Sequence, residues 1–207
     1  MVKRLLAGRY VIAIAAVLLA ASAPLLVSCG DDDEPTAPTP TPGFTYPHMN
    51  GAEWIFNYKG EKIAKYTISG VFNHPTAGET QKFYEYVQGE SGWELFNLYY
   101  LKATDNDVRL YLDPEKSQFT TLLKFPLKSG DTWDAGLGLT ANVSGPEKVS
   151  VPAGSFNCFK IDYTGVGTSF TFWWPSNLGG IGAKNHGWWS LGEDPITTEL
   201  ASYNLPT

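Results

Sequence analysis

The side chains best able to do chemistry are scattered along this 207-residue chain. His48, His74 and His186 lie far apart, and their spacing matches no metal site or catalytic motif. We therefore expect all three histidines at the surface. Residues 89–93 contain the serine of a nucleophile elbow, but tryptophan stands where that motif requires its last glycine. Residues 105–107 lack the glycine and distal glutamate of a calcium loop. We interpret both segments as hairpin turns.

Cys158 is a second kind of candidate, because a free thiol can act as a nucleophile. Its nearest basic neighbour is Lys160, two residues further along and therefore on the same face of a strand. A reactive cysteine needs a more electropositive setting than this. Most unpaired cysteines behave as small buried hydrophobes, so we expect a structural role for Cys158.

Two tryptophan pairs, 173–174 and 188–189, are candidates for ligand contact. Neighbouring residues of a strand point to opposite faces, so one ring of each pair enters the core and the other faces outward. The longer apolar series Phe170, Phe172 and Trp174 places Trp174 inside. Trp173 and Trp189 are then the outward contacts for an apolar ligand or a sugar face. The alternative is a thick core with interfacial tryptophans, since tryptophan is seldom fully buried.

The amino-terminal segment has the layout of an export signal. Lys3, Arg4 and Arg9 precede a nearly continuous apolar stretch at 10–28, and Leu-Val-Ser leads directly into Cys29. This boundary resembles a bacterial lipobox, which implies removal of residues 1–28 and attachment of palmitate-type acyl chains to Cys29. Several chains hold a protein at a membrane permanently. An uncleaved membrane anchor and a plain secretory signal are the alternatives, although Pro24 interrupts the apolar stretch.

The charge balance limits the partners that this protein can bind. Loss of residues 1–28 removes three positive charges and takes the net charge from −6 to −9. An acidic protein repels nucleic acid phosphates and anionic lipid headgroups, so nucleic acid is not an expected partner. With Cys29 acylated, Cys158 has no intrachain partner, and no disulfide framework holds the fold. No cofactor or metal motif is present.

Residues 29–43 form a tether. Residues 31–34 are all acidic, and proline recurs at every second or third position from 35 to 42. Such a segment favours extended polyproline II and holds the domain roughly 3 Å per residue away from the membrane. The acidic run is a solvated spacer or, by its resemblance to tethers of some Gram-negative lipoproteins, a surface-export signal. A proline-rich partner ligand is the other interpretation of the segment.

Residues 44–207 form one domain whose hydrophobic pattern has a period of two, which is typical of strands. Aromatic residues make up 14% of the chain and charged residues 17%, a composition typical of antiparallel sheets. Frequent turn signals, such as residues 152–154, favour hairpins. We predict an all-β fold with a single curved antiparallel sheet, half-barrel or sandwich-like, and at most one helical turn after Asp113. Strands that are apolar on both faces, such as 93–101, indicate a sheet covered on both sides or lining a cavity.

Four segments resemble a widespread group of bacterial exported β-proteins, in the order found in that group. Residues 125–133 are similar to its "plkvGdsW" motif, 149–161 to "vtVPAGtFxcykv", 172–182 to "WyapgvGlvk" and 198–203 to "eLxsy". The strand at 54–58 is also similar, whereas the loop at 177–179 departs from the pattern. The resemblance covers about residues 44–205. It implies a curved antiparallel sheet like that of half-barrel periplasmic proteins, and it supplies no catalytic residues.

The sequence therefore predicts a lipid-anchored envelope protein, at the outer membrane of a Gram-negative bacterium on its periplasmic or outer side. The leading function is a non-enzymatic binding or structural module, with an apolar ligand on the concave face of the sheet. The alternative is a carbohydrate-binding module that uses exposed tryptophan, and a hydrolytic enzyme is the third hypothesis. A lined interior cavity would favour the first function, and outward aromatic rings would favour the second.

Overall fold

The computed structural model describes residues 50–175, 178, 181–191 and 194–206, with the backbone alone for 188–191. The signal segment, the tether and Cys29 lie outside the described residues. The described chain contains twelve strands and no helix. The strands are β1 (Glu53–Tyr58), β2 (Glu61–His74), β3 (Gly78–Gly89), β4 (Gly92–Ala103), β5 (Asp107–Tyr111), β6 (Phe119–Lys124), β7 (Thr132–Gly136), β8 (Leu139–Val151), β9 (Gly154–Gly165), β10 (Thr168–Pro175), β11 (Lys184–Leu191) and β12 (Asp194–Asn204).

All twelve strands belong to one antiparallel sheet, in the order β6-β5-β4-β3-β2-β1-β12-β11-β10-β9-β8-β7. Each strand pairs with its neighbours in the chain except β6 and β7, which are the two edges of the sheet. β1 also pairs with β12, so the two ends of the domain meet in the middle of the sheet. The prediction of an all-β fold with a single curved antiparallel sheet is confirmed.

The sheet curls until its two edge strands, β6 and β7, approach each other. The indole nitrogen Nε1 of Trp133 on β7 donates to the carbonyl oxygen of Thr121 on β6 at 3.0 Å. The hydroxyl of Tyr163 on β9 donates to the carbonyl oxygen of Leu122 on β6. Bulges interrupt the ladders, for example between Ile68 and Val71, and bulges bend and twist a strand locally. The curvature gives the sheet an inner and an outer face.

The inner face holds the main hydrophobic core. Trp174 is 4% exposed, which confirms the prediction that it is the core member of its pair. The indole Nε1 of Trp54 donates to the carbonyl oxygen of Leu178 at 3.3 Å, so the segment after β10 also contributes to the core. Cys158 is buried and free, as predicted. The largest fully buried apolar side chains are Trp54, Tyr163, Phe56, Ile68, Leu123, Ile161, Leu178 and Leu200.

A second cluster of rings corrects the expectation that every histidine lies at the surface. His74 is only 2% exposed, and its ring centroid lies 4.5 Å from that of Tyr111. Its Nδ1 lies 3.3 Å from the backbone nitrogen of Thr76, which is within hydrogen-bond distance. Its Nε2 lies 3.2 Å from the carbonyl oxygen of Asp113. The imidazole is buried because β2, β5 and the segment after β5 enclose it, which no local sequence pattern predicts.

The turns follow the sequence predictions, and the single helical turn does not occur. β3 and β4 are joined through residues 90–91, and β4 and β5 through 104–106. β8 and β9 are joined through 152–153, with Gly154 at φ 136°. Asp113 does not start a helix. Its carboxylate accepts the backbone N–H of Glu115 at 2.9 Å, which stabilises a bend instead, and Phe119 begins strand β6.

Candidate binding surfaces

The concave interior of the sheet is filled with side chains. A cavity that the described residues enclose on this side has a volume of about 30 Å³. Small-molecule sites usually have about 300–1,000 Å³. Trp174, Phe172 and Ile181 line it on one side and Tyr66 and Phe83 on the other. This cavity is too small for an acyl chain, so it offers little room for the apolar ligand predicted on the concave face.

Trp173 faces outward, but its ring is not a free platform. It is half-buried, and its Nε1 donates to a carboxylate oxygen of Glu147. Lys160 and Lys184, on the two neighbouring strands, place their Nζ atoms 6.0 Å and 5.6 Å from the ring centroid. Because the indole edge and its flanks already contact charged groups, Trp173 presents less open ring surface than the sequence suggests.

The other predicted contact, Trp189, lies on β11 with its Cα opposite that of Ile196 on β12. Its side chain is outside the described residues. A bulge in β11 between His186 and Trp189 also breaks the simple alternation from which its outward direction was inferred. The contact role of Trp189 therefore stays a prediction.

A different set of aromatic residues covers the outer face of β2, β3 and β4. We call this surface the aromatic face and define it as Lys65, Tyr84, Tyr86, Trp93, Leu95 and Leu98. Ala64 and Tyr66 on β2, and Phe83 and Glu85 on β3, point inward. Strand alternation therefore places Lys65, Tyr84 and Tyr86 outward. Cross-strand pairing sets Tyr86 beside both Lys65 and Leu95, and Tyr84 beside Leu98.

The rings of the aromatic face are organised around Lys65. Its Nζ lies 4.8 Å from the ring centroid of Tyr86 and 5.4 Å from that of Trp93. The Tyr84 and Tyr86 rings are stacked at 6.3 Å with an interplanar angle of 25°. The same ammonium lies 3.8 Å from a carboxylate oxygen of Glu53. The face therefore combines flat apolar rings with a charged pair able to make hydrogen bonds.

The residues of the aromatic face differ in how far they are exposed to solvent. Leu95 is 58% exposed, and the three rings are half-buried. Phe96, beside the bulge between β3 and β4, is also exposed. Clustered exposed apolar surface of this kind marks an interaction site more often than single exposed apolar residues do.

Directly beneath the aromatic face, the interior side of β3 carries a buried carboxylate. Glu85 is almost fully buried and accepts hydrogen bonds at 2.7 Å from the Tyr66 hydroxyl, the Tyr99 hydroxyl and the Asn97 side-chain amide. Burial raises the pKa of Tyr99 above its ordinary value, and the charge of Glu85 raises it further. This network links the inner sides of β2, β3 and β4, the same strands whose outer sides form the aromatic face.

Other reactive groups in the described chain lie apart from one another. Burial, with a smaller contribution from Glu147, raises the pKa of the Cys158 thiol to about 12, so the thiolate is scarce at neutral pH. His186 contacts the Thr197 hydroxyl at 2.8 Å, away from His74. Within the described part of the chain, no three histidine, cysteine or acidic side chains are grouped as a metal site.

The described residues were also compared with the requirements of a membrane-spanning helix. Over residues 50–206, apart from the gaps given above, no helix has the length and apolar character needed to cross a bilayer.

Comparison with known proteins yields two solved structures of similar shape at low sequence identity. One is a candidate lipoprotein from Parabacteroides distasonis, with 13% identity and a TM-score of 0.49, covering 78% of this chain and 98% of that one. The other is a candidate exported protein with a YmcC-like fold from Bacteroides fragilis, with 12% identity and a TM-score of 0.46, covering 76% and 97%. No protein-family model and no curated protein matches the chain.

Sequence reasoning missed the aromatic face and the Glu85 network. Residues 83–86 read Phe-Tyr-Glu-Tyr, and the tyrosines alone would be taken as the apolar set of this strand. The useful signal was the position of Lys65 between Ala64 and Tyr66 in the sequence. A lysine between two core residues of a strand faces outward. That signal indicates the outer face of β2 but not which strands lie beside it.

Proposed function

We propose that this protein is a lipoprotein of the Gram-negative outer membrane, anchored by acyl chains on Cys29. The basic start, the apolar stretch and the cysteine boundary of residues 1–29 support this anchoring. The tether of residues 29–43 then holds the β domain away from the bilayer. The order of anchor, spacer and domain suits a module that presents one surface to the envelope or its surroundings.

We propose further that the domain is a non-enzymatic binding module that contacts a glycan through the aromatic face. The observation that carries this proposal is the grouping of Tyr84, Tyr86 and Trp93 around Lys65 on the outer side of three adjacent strands. Flat rings offer large apolar area at a small cost in conformational entropy. The apolar faces of pyranose rings pack on them, and Lys65 and Glu53 supply hydrogen bonds to sugar hydroxyls.

The glycan is favoured over the apolar ligand of the leading sequence hypothesis. The cavity of about 30 Å³ among the described residues is too small for an acyl chain. The aromatic face, by contrast, already lies at the surface, with Leu95 58% exposed and its three rings half-buried. The net charge of −9 after signal removal also disfavours polyanions such as nucleic acid, since it repels phosphates.

Binding of the detergent-solubilised lipoprotein to envelope and extracellular polysaccharides would test the proposal. We expect retention on at least one polysaccharide and quenching or shift of tryptophan fluorescence on binding. The double variant Tyr86→Ala/Trp93→Ala should weaken binding at least tenfold while keeping the circular dichroism of the parent.

Trp173→Ala is the matched control, because it removes an outward ring from the other half of the sheet. Its binding should stay within twofold of the parent. If Trp173→Ala loses glycan binding and the double variant keeps it, the glycan contacts Trp173 and not the aromatic face. Absence of binding to every polysaccharide, together with a lipid that copurifies, would restore the apolar-ligand hypothesis.

A further inference from the structure

The aromatic face has a polar flank along β2. Cross-strand pairing sets Lys65 opposite Tyr86 and Thr67 opposite Tyr84. Both β2 residues alternate with buried neighbours, so their side chains point outward. Glu53 on β1 pairs with Thr67 in the ladder, and its carboxylate lies 3.8 Å from the Lys65 ammonium. An ammonium, a carboxylate and a hydroxyl supply both donors and acceptors, so the hydroxyl groups on one edge of a saccharide find partners along this flank.

The opposite flank of the aromatic face, along β4, is apolar. Leu95 lies opposite Tyr86 and Leu98 opposite Tyr84. Leu95 is 58% exposed and Leu98 is half-buried. A sugar hydroxyl held against these aliphatic side chains gains no hydrogen bond from them. A methyl group in the same place removes apolar surface from water, which favours binding. The apolar flank therefore suits a saccharide with methyl-bearing substituents.

The row of aromatic rings is long enough for more than one sugar. Trp93 lies opposite Gln88, which is four residues from Tyr84 along β3. A strand advances about 3.3 Å per residue, so the backbone positions of the outermost rings are about 13 Å apart along the strand. One pyranose ring stacks on one aromatic ring at a time. The row therefore fits an oligosaccharide better than a single sugar.

The distance from the rings to the apolar flank limits the kind of methyl group. Opposed side chains on neighbouring strands are about 5 Å apart at their Cβ atoms. A methyl group must therefore project beyond the edge of a sugar that is stacked on Tyr86 if it is to contact Leu95. The methyl of an acetamido group projects in this way, because the amide separates it from the sugar ring. The methyl of a deoxy sugar is attached to the ring directly and projects less.

We propose that the aromatic face binds an oligosaccharide of 2-acetamido sugars, with acetamido methyl groups on the apolar flank and ring hydroxyls on the polar flank. This inference rests on the proposed glycan-binding function and names its substrate class. An acidic sugar is disfavoured, because Glu53 already compensates the charge of Lys65. The chain is also strongly acidic overall, which repels polyanionic glycans.

Two trisaccharides test the inference as matched probes. Tri-N-acetylchitotriose and cellotriose share the β-1,4-linked glucose backbone and differ in having acetamido or hydroxyl groups at carbon 2. Titration of the detergent-solubilised mature lipoprotein, followed by calorimetry and tryptophan fluorescence, would give both dissociation constants. We expect the acetylated trimer to bind about tenfold more tightly than cellotriose, because its methyl groups bury apolar surface on the leucines.

The outcomes separate this inference from the glycan-binding function. Equal binding of the two trimers, or tighter binding of cellotriose, would overturn the choice of acetamido sugars and leave the glycan function standing. Failure of both trimers to bind, with retention of the protein on another polysaccharide, would have the same meaning. Absence of binding to every saccharide would overturn the glycan function as well.

The variant Leu95→Asn tests whether the apolar flank is the source of the preference. Asparagine is similar in size but offers hydrogen bonds in place of apolar surface. We expect the preference for the acetylated trimer to fall to about threefold or less. Leu112→Asn is the matched control, because Leu112 is 48% exposed in the segment after β5, outside the aromatic face. Its preference should equal that of the parent. A parental preference in Leu95→Asn, with unchanged circular dichroism, would contradict the inference.

Discussion

Trp173 and Trp174 are neighbours in the chain that lie on opposite sides of the sheet. Trp174 is enclosed in the core, whereas Trp173 is half-buried on the outer face, between Lys160 and Lys184. The backbone alternation of β10 alone produces this difference. Two residues of the same type therefore have different energetic roles.

Alanine substitution should separate these roles. We expect Trp174→Ala to lower the free energy of unfolding by about 3–5 kcal/mol, since it empties a buried aromatic site. Trp173→Ala should cost no more than about 1 kcal/mol, because it removes a partly exposed ring and its contacts with charged groups. Urea denaturation followed by circular dichroism would measure both values. Equal losses would show that both rings belong to the core.

Glu85 should be essential to stability because its carboxylate accepts three hydrogen bonds in the core. Glu85→Ala leaves the Tyr66 and Tyr99 hydroxyls and the Asn97 amide without this acceptor, and we expect a loss of about 3–5 kcal/mol. Glu85→Gln retains one acceptor oxygen and should cost less. Glu94→Ala, at an exposed position of β4, should stay within about 0.5 kcal/mol of the parent. Denaturant midpoints would rank the three, and parental stability in Glu85→Ala would contradict this role.

Alkaline pH should destabilise the domain. The pKa values of Cys158, Tyr99 and Tyr163 are all raised, chiefly by burial, and that of Cys158 is about 12. Each group keeps its proton in the folded state at a pH where the unfolded chain has released it. The stabilisation is complete below about pH 8.5, the ordinary pKa of a thiol. It falls as pH rises further, first through Cys158 and then, above about pH 10, through the tyrosines.

Unfolding free energies measured at intervals from pH 7 to pH 11 would show this decline. Cys158→Ala serves as the control, since the decline should then begin near pH 10 instead of near pH 8.5. Identical profiles for the variant and the parent would exclude a contribution from the thiol.

Gly154 should be required by the turn between β8 and β9. Its φ of 136° lies in a region that β-branched residues rarely adopt. Gly154→Val should therefore cost roughly 1–3 kcal/mol and leave glycan binding unchanged. Ser155→Val, at the next and exposed strand position, should cost less than about 0.5 kcal/mol. Thermal melts would compare the two variants, and an unchanged Tm for Gly154→Val would show that the turn tolerates a side chain.

Cys29 should be the site of membrane attachment. Cys29→Ser removes the thiol that the acyl chains require, so we expect loss of amino-terminal processing or release of the protein from the membrane fraction. Cys158→Ser is the matched control and should remain in the membrane fraction. Detergent partitioning and mass spectrometry of the amino terminus would measure both outcomes. Membrane retention of a normally processed Cys29→Ser protein would contradict the assignment.

The sequence by itself determined the fold class, the hairpin turns and the core position of Trp174. These features depend on local information, namely period-two alternation and the residues of short turns. Gly154 shows this well, because the Pro-Ala-Gly segment specifies its turn without reference to the rest of the chain.

The tertiary structure decided which side of β3 faces inward and which side chains of neighbouring strands meet there. In β3 the pattern separates Phe83 and Glu85 from Tyr84 and Tyr86, but hydrophobicity alone would bury the tyrosine pair. The structure buries Glu85 instead, because Tyr66 and Tyr99 from the neighbouring strands donate to its carboxylate. Those partners come from other strands, and alternation along one strand carries no information about them. The burial of His74 and the aromatic face arise in the same way, from cross-strand register and curvature.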